Sequence, residues 1–161
     1  MAACFTGNEA QAGEDHVTQA TGRYIRIVGI FSLLVAIVFS LAGVNDFTGA
    51  NDLFFRLAAS GGNGVAGLDT AEAKLAMAIA GGIFAGMMAM YVFITAPGVE
   101  QGSDLIRKGS IYTFLVWFVV DSGASLASGN PQNVIPNGVF LVLYLTPLLL
   151  VRNEAAKQPI P

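Results

Sequence analysis

The chain has 161 residues, 54% of them hydrophobic and only 12% charged, against the roughly 25% charged residues of ordinary soluble domains. A net charge of -3 without clustered Lys and Arg argues against nucleic acid. The single Cys4 and single His16 both precede the first apolar run, which excludes an intrachain disulfide and argues against imidazole-ligated haem, chlorophyll, zinc or iron-sulfur; no cofactor is implied.

Four apolar runs organise the sequence as an all-α integral membrane four-helix bundle. Residues 1–22, with Glu9, Glu14 and Asp15, read as a polar cytoplasmic tail lacking apolar periodicity. The first span, 24–44, is expected to be retained rather than cleaved, because the preceding segment is long for a signal peptide. Cys4 is a possible acylation site, with an unmodified thiol as the default. In the long first loop, Asn51 and Asp52 are placed to cap a short interfacial helix whose apolar side carries Leu53, Phe54 and Leu57. This helix can float at the interface, cover a pocket or dock another subunit. The following Gly62-Asn63-Gly64-Val65-Ala66-Gly67 matches a dinucleotide-binding string, yet has no strand before it and no acidic ribose ligand about 20 residues on, so it reads as a hinge.

The second span is expected at 75–95, with Asp69 and Glu72 as a capping-box-like start and Pro97-Gly98 as its stop. Its small residues Ala78, Gly82 and Gly86 recur every four positions, and Ser32, Ala36 and Ser40 form a matching row in the first span. These rows predict close packing between the two helices, or alternatively a seam with another subunit. The neighbouring Met77, Met87, Met88 and Met90 suit an adaptable face or ordinary packing. The third span, 111–128, ends at Gly129-Asn130-Pro131, and the fourth, 134–151, contains Pro147, where a kink is expected with Thr146 helping to satisfy the freed carbonyl. Each run is about 27 to 32 Å long at helical rise, enough for a hydrocarbon core. The spanning domain is bounded at 23–152, leaving 153–161 as a short cytoplasmic tail. Arg23, Arg26, Arg107, Lys108, Arg152 and Lys157 lie on one side of this topology and only Arg56 and Lys74 on the other, which orients both termini to the cytoplasm.

Asp121 is the one acid deep within an apolar run. An ionised carboxylate in mid-membrane costs about 2.5 to 3.5 kcal/mol on insertion scales, so it must face the bundle, be neutralised or find a partner. Phe114, Trp117 or Phe118, Asp121, Ser125 and Ser128 share one helical stripe, suggesting a binding pocket open outward, with Lys74 or Arg56 as the counter-ion. One reading makes Asp121 a proton- or cation-handling site; the other makes it a hydrogen-bonded acid that fixes packing. No catalytic arrangement can be assembled from these residues, so no enzyme activity is expected.

Gly81-Gly82 and Gly86 after the acidic start, Arg107-Lys108 before the third helix and the Gly129-Asn130-Pro131 turn together resemble the small four-helix DoxX-like bacterial membrane proteins. The resemblance implies an inner-membrane bundle, and the paired-cysteine motif that would suggest thiol chemistry is missing. The expected role is an accessory, assembly or scaffold subunit contacting other membrane chains or further copies of itself, and lipids. The alternative is a small transporter or ion-conducting oligomer using Asp121.

Overall fold

A computed structural model describes the backbone of residues 6–151 and the side chains of residues 18–151. The expectations for Cys4, the His16 side chain, Arg152, Lys157 and the segment 153–161 fall outside those described residues. Within them the chain is helical: α1 (Thr6–Ser40), α2 (Ala50–Ala58), α3 (Ala71–Met90), a π-turn (Tyr91–Thr95), α4 (Ala96–Glu100), α5 (Asp104–Ala127) and α6 (Val134–Leu150), with 3₁₀ turns at Gly64–Leu68 and Pro131–Asn133. Four stretches are long and apolar enough to cross a membrane: Thr18–Ser40, Ala71–Glu100, Asp104–Ala127 and Pro131–Leu150.

The helices outrun the apolar segments that announced them. α1 is helical from Thr6, where a tail was expected. Ala-, Gln- and Glu-containing sequence propagates cheaply from an existing helix because the nucleation cost has already been met. α3 starts at Ala71, with Thr70 rather than Asp69 as its cap: the Ala73 amide donates to Thr70 Oγ1 at 3.1 Å. Pro97 and Gly98 do not stop this helix. The preceding π-turn changes the hydrogen-bond register, Pro97 enters the first turn of α4, and the helix ends at Gly102 with φ 68°. Gly98 instead permits contact with α5, since a Cβ there would lie 2.6 Å from Ile106 Cδ1. α5 begins at Asp104 under a Ser103 cap and ends in a Schellman turn, in which Asn130 N donates to Ser125 O at 2.8 Å and Gly129 N to Leu126 O at 3.1 Å.

α1 packs along α3 and also meets α4 and α6, while α5 packs along α6. The small-residue row of α1 faces inward, with Ser32 and Ala36 buried. The expected row of α3 does not: Ala78, Gly82 and Gly86 are exposed. The close approach falls one residue away, where a Cβ on Gly81 would sit 2.5 Å from Ser40 Cα. The four-residue repeat marks where helices are able to approach, and the larger Met77, Phe84 and Met88 decide which side turns inward.

At the level of the π-turn the core is aromatic. Tyr91, Phe114 and Tyr144 are buried and mutually packed, and Phe140 stacks on Tyr144 at 6.0 Å between centroids. Tyr144 donates its hydroxyl proton to Ser32 Oγ at 2.9 Å, joining α6 to α1. Tyr91 donates to the Tyr144 carbonyl at 2.9 Å, in the stretch that Pro147 loosens. Thr146 bonds the Val142 carbonyl at 2.7 Å rather than the Leu143 carbonyl four residues before Pro147, so its expected role is not the one it takes.

One end of the bundle carries most of the Lys and Arg among the described residues. Arg26 pairs with Glu100 through two bonds of 2.5 and 2.7 Å, Arg107 and Lys108 pair with Asp104, and Arg107 also donates to the Leu148 carbonyl at 3.1 Å. We refer to this as the basic end and to the other as the loop end.

Candidate functional site: a polar cluster at the loop end

Asp121 sits six residues before the end of α5. That is about 9 Å of helical rise from the loop end. α5 starts at Asp104 rather than Ile111, so Asp121 lies nearer the loop end of its helix than the other end. Asp121 Oδ1 accepts from Asn137 Nδ2 at 2.9 Å, Asn133 Nδ2 at 3.0 Å and Ser125 Oγ at 3.3 Å. Asn133 Nδ2 also reaches Ser125 Oγ at 2.9 Å, and Asn137 Nδ2 reaches Ser122 Oγ at 3.3 Å. Antiparallel α5 and α6, joined by a short turn, bring these side chains together, and the one-turn spacing of Asn133 and Asn137 points both amides at one carboxylate.

Sequence reasoning found Asp121 and Ser125 but missed Asn133, Asn137 and Ser122. Its available signal was the pair of amides four residues apart at the start of an apolar run, where an amide is expensive unless it is bonded. Trp117, one turn from Asp121, is half-buried on the same stripe. Phe114 belongs to the aromatic core instead.

Neither proposed counter-ion reaches the site. Arg56 is held by Asp52, with Nε to Oδ2 at 2.7 Å. Lys74 lies against the turn that follows α1, where a Cβ on Gly43 would come 2.8 Å from Lys74 Cγ. Among the described residues every hydrogen-bond donor to Asp121 is neutral, and all three act on Oδ1.

The first loop is docked beside this cluster. Asp46, rather than Asn51 or Asp52, caps α2: its carboxylate accepts from Asp52 N at 2.8 Å, Asn51 N at 3.3 Å and Asn51 Nδ2 at 3.0 Å. The expected apolar side of α2 is divided. Phe54 and Phe55 pack on Phe39 of α1, whereas Leu53 and Leu57 are exposed. Asp52 accepts from Val65 N at 3.0 Å, and this bond folds the glycine-rich string into its 3₁₀ turn rather than leaving it a hinge. The Arg56 hydrogen bond, followed by that Val65 amide, holds the Asp52 carboxyl below its ordinary value. Ser60 completes the dock: its amide donates to Asn130 Oδ1 at 3.0 Å and its hydroxyl to Gln132 Oε1 at 2.7 Å, tying the first loop to the α5–α6 turn.

Among the described residues no three His, Cys, Asp or Glu side chains form a group able to hold a metal. The arrangement fixes one carboxylate with neutral donors. No family model, curated protein or solved structure matches the chain.

Proposed function

We propose that this protein is an accessory, assembly or scaffold subunit of a membrane complex, without enzymatic activity of its own. The observation that carries the reading is the outward face of α3. Ala78, Gly82 and Gly86 are exposed, and a Cβ on Gly82 or Gly86 would meet nothing within 4 Å. Glycine in a helix interior costs about 1 kcal/mol relative to alanine, and in lipid it is useful where a second backbone must approach closely. Two such positions on an open face suit a partner helix.

The internal bonding of Asp121 favours this role over a small transporter or ion-conducting oligomer. The mutually packed Tyr91, Phe114 and Tyr144 fill the bundle on the basic side of the acid, where a conducting path would have to run. Placement in a bacterial inner membrane with both termini cytoplasmic, and kinship with the DoxX-like proteins, belong to the same proposal. Arg26, Arg107 and Lys108 at one end support that orientation. The test is purification of the tagged chain from native membranes in mild detergent. A second chain recovered at fixed stoichiometry is expected; a pure homo-oligomer with an aqueous path past Asp121 would refute it.

A further inference from the structure

α5 and α6 bring a carboxylate, two amides and two hydroxyls together near the loop end, with no charge of opposite sign. Asp121 is bonded by Asn133, Asn137 and Ser125, all neutral, and among the described residues no Lys or Arg pairs with it. An ionised carboxylate in a spanning helix is costly without a countercharge. Asp121, Ser125 and Asn133 are half-buried, and Asn133 lies in the turn between α5 and α6, so an ion can reach them from the loop end.

The distances within this cluster fit a coordination shell. Asp121 Oδ1, Ser125 Oγ and Asn133 Nδ2 form a triangle with sides of 3.3, 2.9 and 3.0 Å, and Asn137 Nδ2 stands 2.9 Å from the same carboxylate oxygen. Turning an Asn amide over exchanges Nδ2 for Oδ1 at nearly the same place. The triangle then consists of three oxygens, and a cation above it touches all of them at about 2.3 to 2.6 Å, the contact distance of a calcium-sized hard ion. The rest of the structure does not hold the amides in one orientation. Asn137 is 5% exposed, yet among the described residues its Oδ1 accepts no hydrogen bond, and neither does that of Asn133. One end of each amide lacks a partner whichever way it faces, so what sits at the carboxylate decides which atom meets it. A nearly buried amide left in this state is uncommon enough to point to a ligand.

We propose that this cluster binds a monovalent cation of sodium's size, with Asp121, Ser125, Asn133 and Asn137 as its ligands. Sodium matches calcium in size but carries a single charge, which the single carboxylate balances. Calcium would keep an uncompensated positive charge beside hydrocarbon. The aromatic core lies between the cluster and the basic end, so the ion enters and leaves by the loop end and is held rather than conducted. The site uses neither the open face of α3 nor a partner chain, and it stands or falls apart from the accessory-subunit reading.

The experiment titrates sodium chloride into the full chain in detergent and lipid micelles prepared without sodium, with choline chloride holding the ionic strength constant. Trp117 is the sole tryptophan and stands half-buried one helical turn from Asp121, so its fluorescence reports on the cluster without a label. A saturable change in that fluorescence is expected, together with an unfolding temperature that rises with sodium, because a ligand held only by the folded state stabilises it. Asp121→Asn should remove both responses while far-UV dichroism shows its helices intact. Asn133→Ala and Asn137→Ala should each raise the half-saturating sodium concentration by about tenfold. The absence of a saturable sodium effect in both readouts, a response that survives in Asp121→Asn, or calcium acting at lower concentration than sodium overturns the proposal. A response to pH in which sodium has no part overturns it as well, and assigns the carboxylate a bound proton instead.

Discussion

Substitution of two adjacent glycines by alanine separates the packed face of α3 from its open face. A Cβ on Gly81 would lie 2.5 Å from Ser40 Cα and 2.6 Å from Ser40 N, below the approach that Cβ atoms tolerate. Both neighbours are backbone, so no rotamer change relieves the clash and α1 must move away from α3. Overpacking of this kind costs about 1 to 3 kcal/mol, and an unyielding backbone places it near the upper figure. Replacing glycine in a helix returns about 1 kcal/mol in propensity, leaving Gly81→Ala about 2 kcal/mol less stable. Gly82→Ala meets nothing within 4 Å and keeps only the gain, so it should be unchanged or up to about 1 kcal/mol more stable. Reversible unfolding of the two purified variants in detergent and lipid micelles measures both. Equal destabilisation by the two substitutions, or a stable Gly81→Ala, would refute the assignment of Gly81 to the α1–α3 contact.

Three further outcomes follow from the same geometry. Asn137→Ala removes the amide that serves both Asp121 and Ser122 and should cost about 1 to 2 kcal/mol, whereas Asp121→Asn retains acceptor oxygen and should cost less than about 1 kcal/mol in the isolated protein; thermal unfolding compares them. Because Arg56 and the Val65 amide hold the Asp52 carboxyl below its ordinary 3.8, its contribution is full above that value and is lost as pH falls through the lower, folded-state value. The protection of the Val65 amide relative to its intrinsic exchange rate should thus be high at neutral pH and fall only in acid, while Asp52→Asn lowers it throughout. Reversing either Arg26 or Glu100 should lower stability by about 1 kcal/mol, and the double reversal should recover most of it, since the pair is bidentate but partly exposed.

What could be read from residue order was the property summed over long windows. Four apolar runs give four helices in these positions, the α5–α6 turn falls at Gly129-Asn130-Pro131, and α2 forms where a short amphipathic helix was expected. Ends were harder, because hydropathy reports solvent preference and not hydrogen bonding: Ala71 to Lys74 and Asp104 to Ser110 are helical although the apolar runs begin only at Leu75 and Ile111. Facing was harder still. Ala78, Gly81, Gly82 and Gly86 are equally small, and only the bulk of Met77 and Met88 beside them turns Gly81 toward α1. At the candidate site, Asp121 was conspicuous as an acid in an apolar run, but its partners depended on the pairing of two helices. Searching for cations overlooked Asn133 and Asn137, which meet the carboxylate as neutral donors. The π-turn at Tyr91–Thr95 left no compositional trace, and it is what carries α3 past Pro97.

The most direct measurement of the central claim, that lipid surrounds these helices, is the collision rate of nitroxide labels with oxygen and with a water-soluble nickel chelate in reconstituted vesicles. Labels at Ile83, Val116 and Val139, which are 69%, 62% and 63% exposed, should collide readily with oxygen and rarely with the chelate. Frequent collision with the chelate at all three positions would place these surfaces in water and contradict the account.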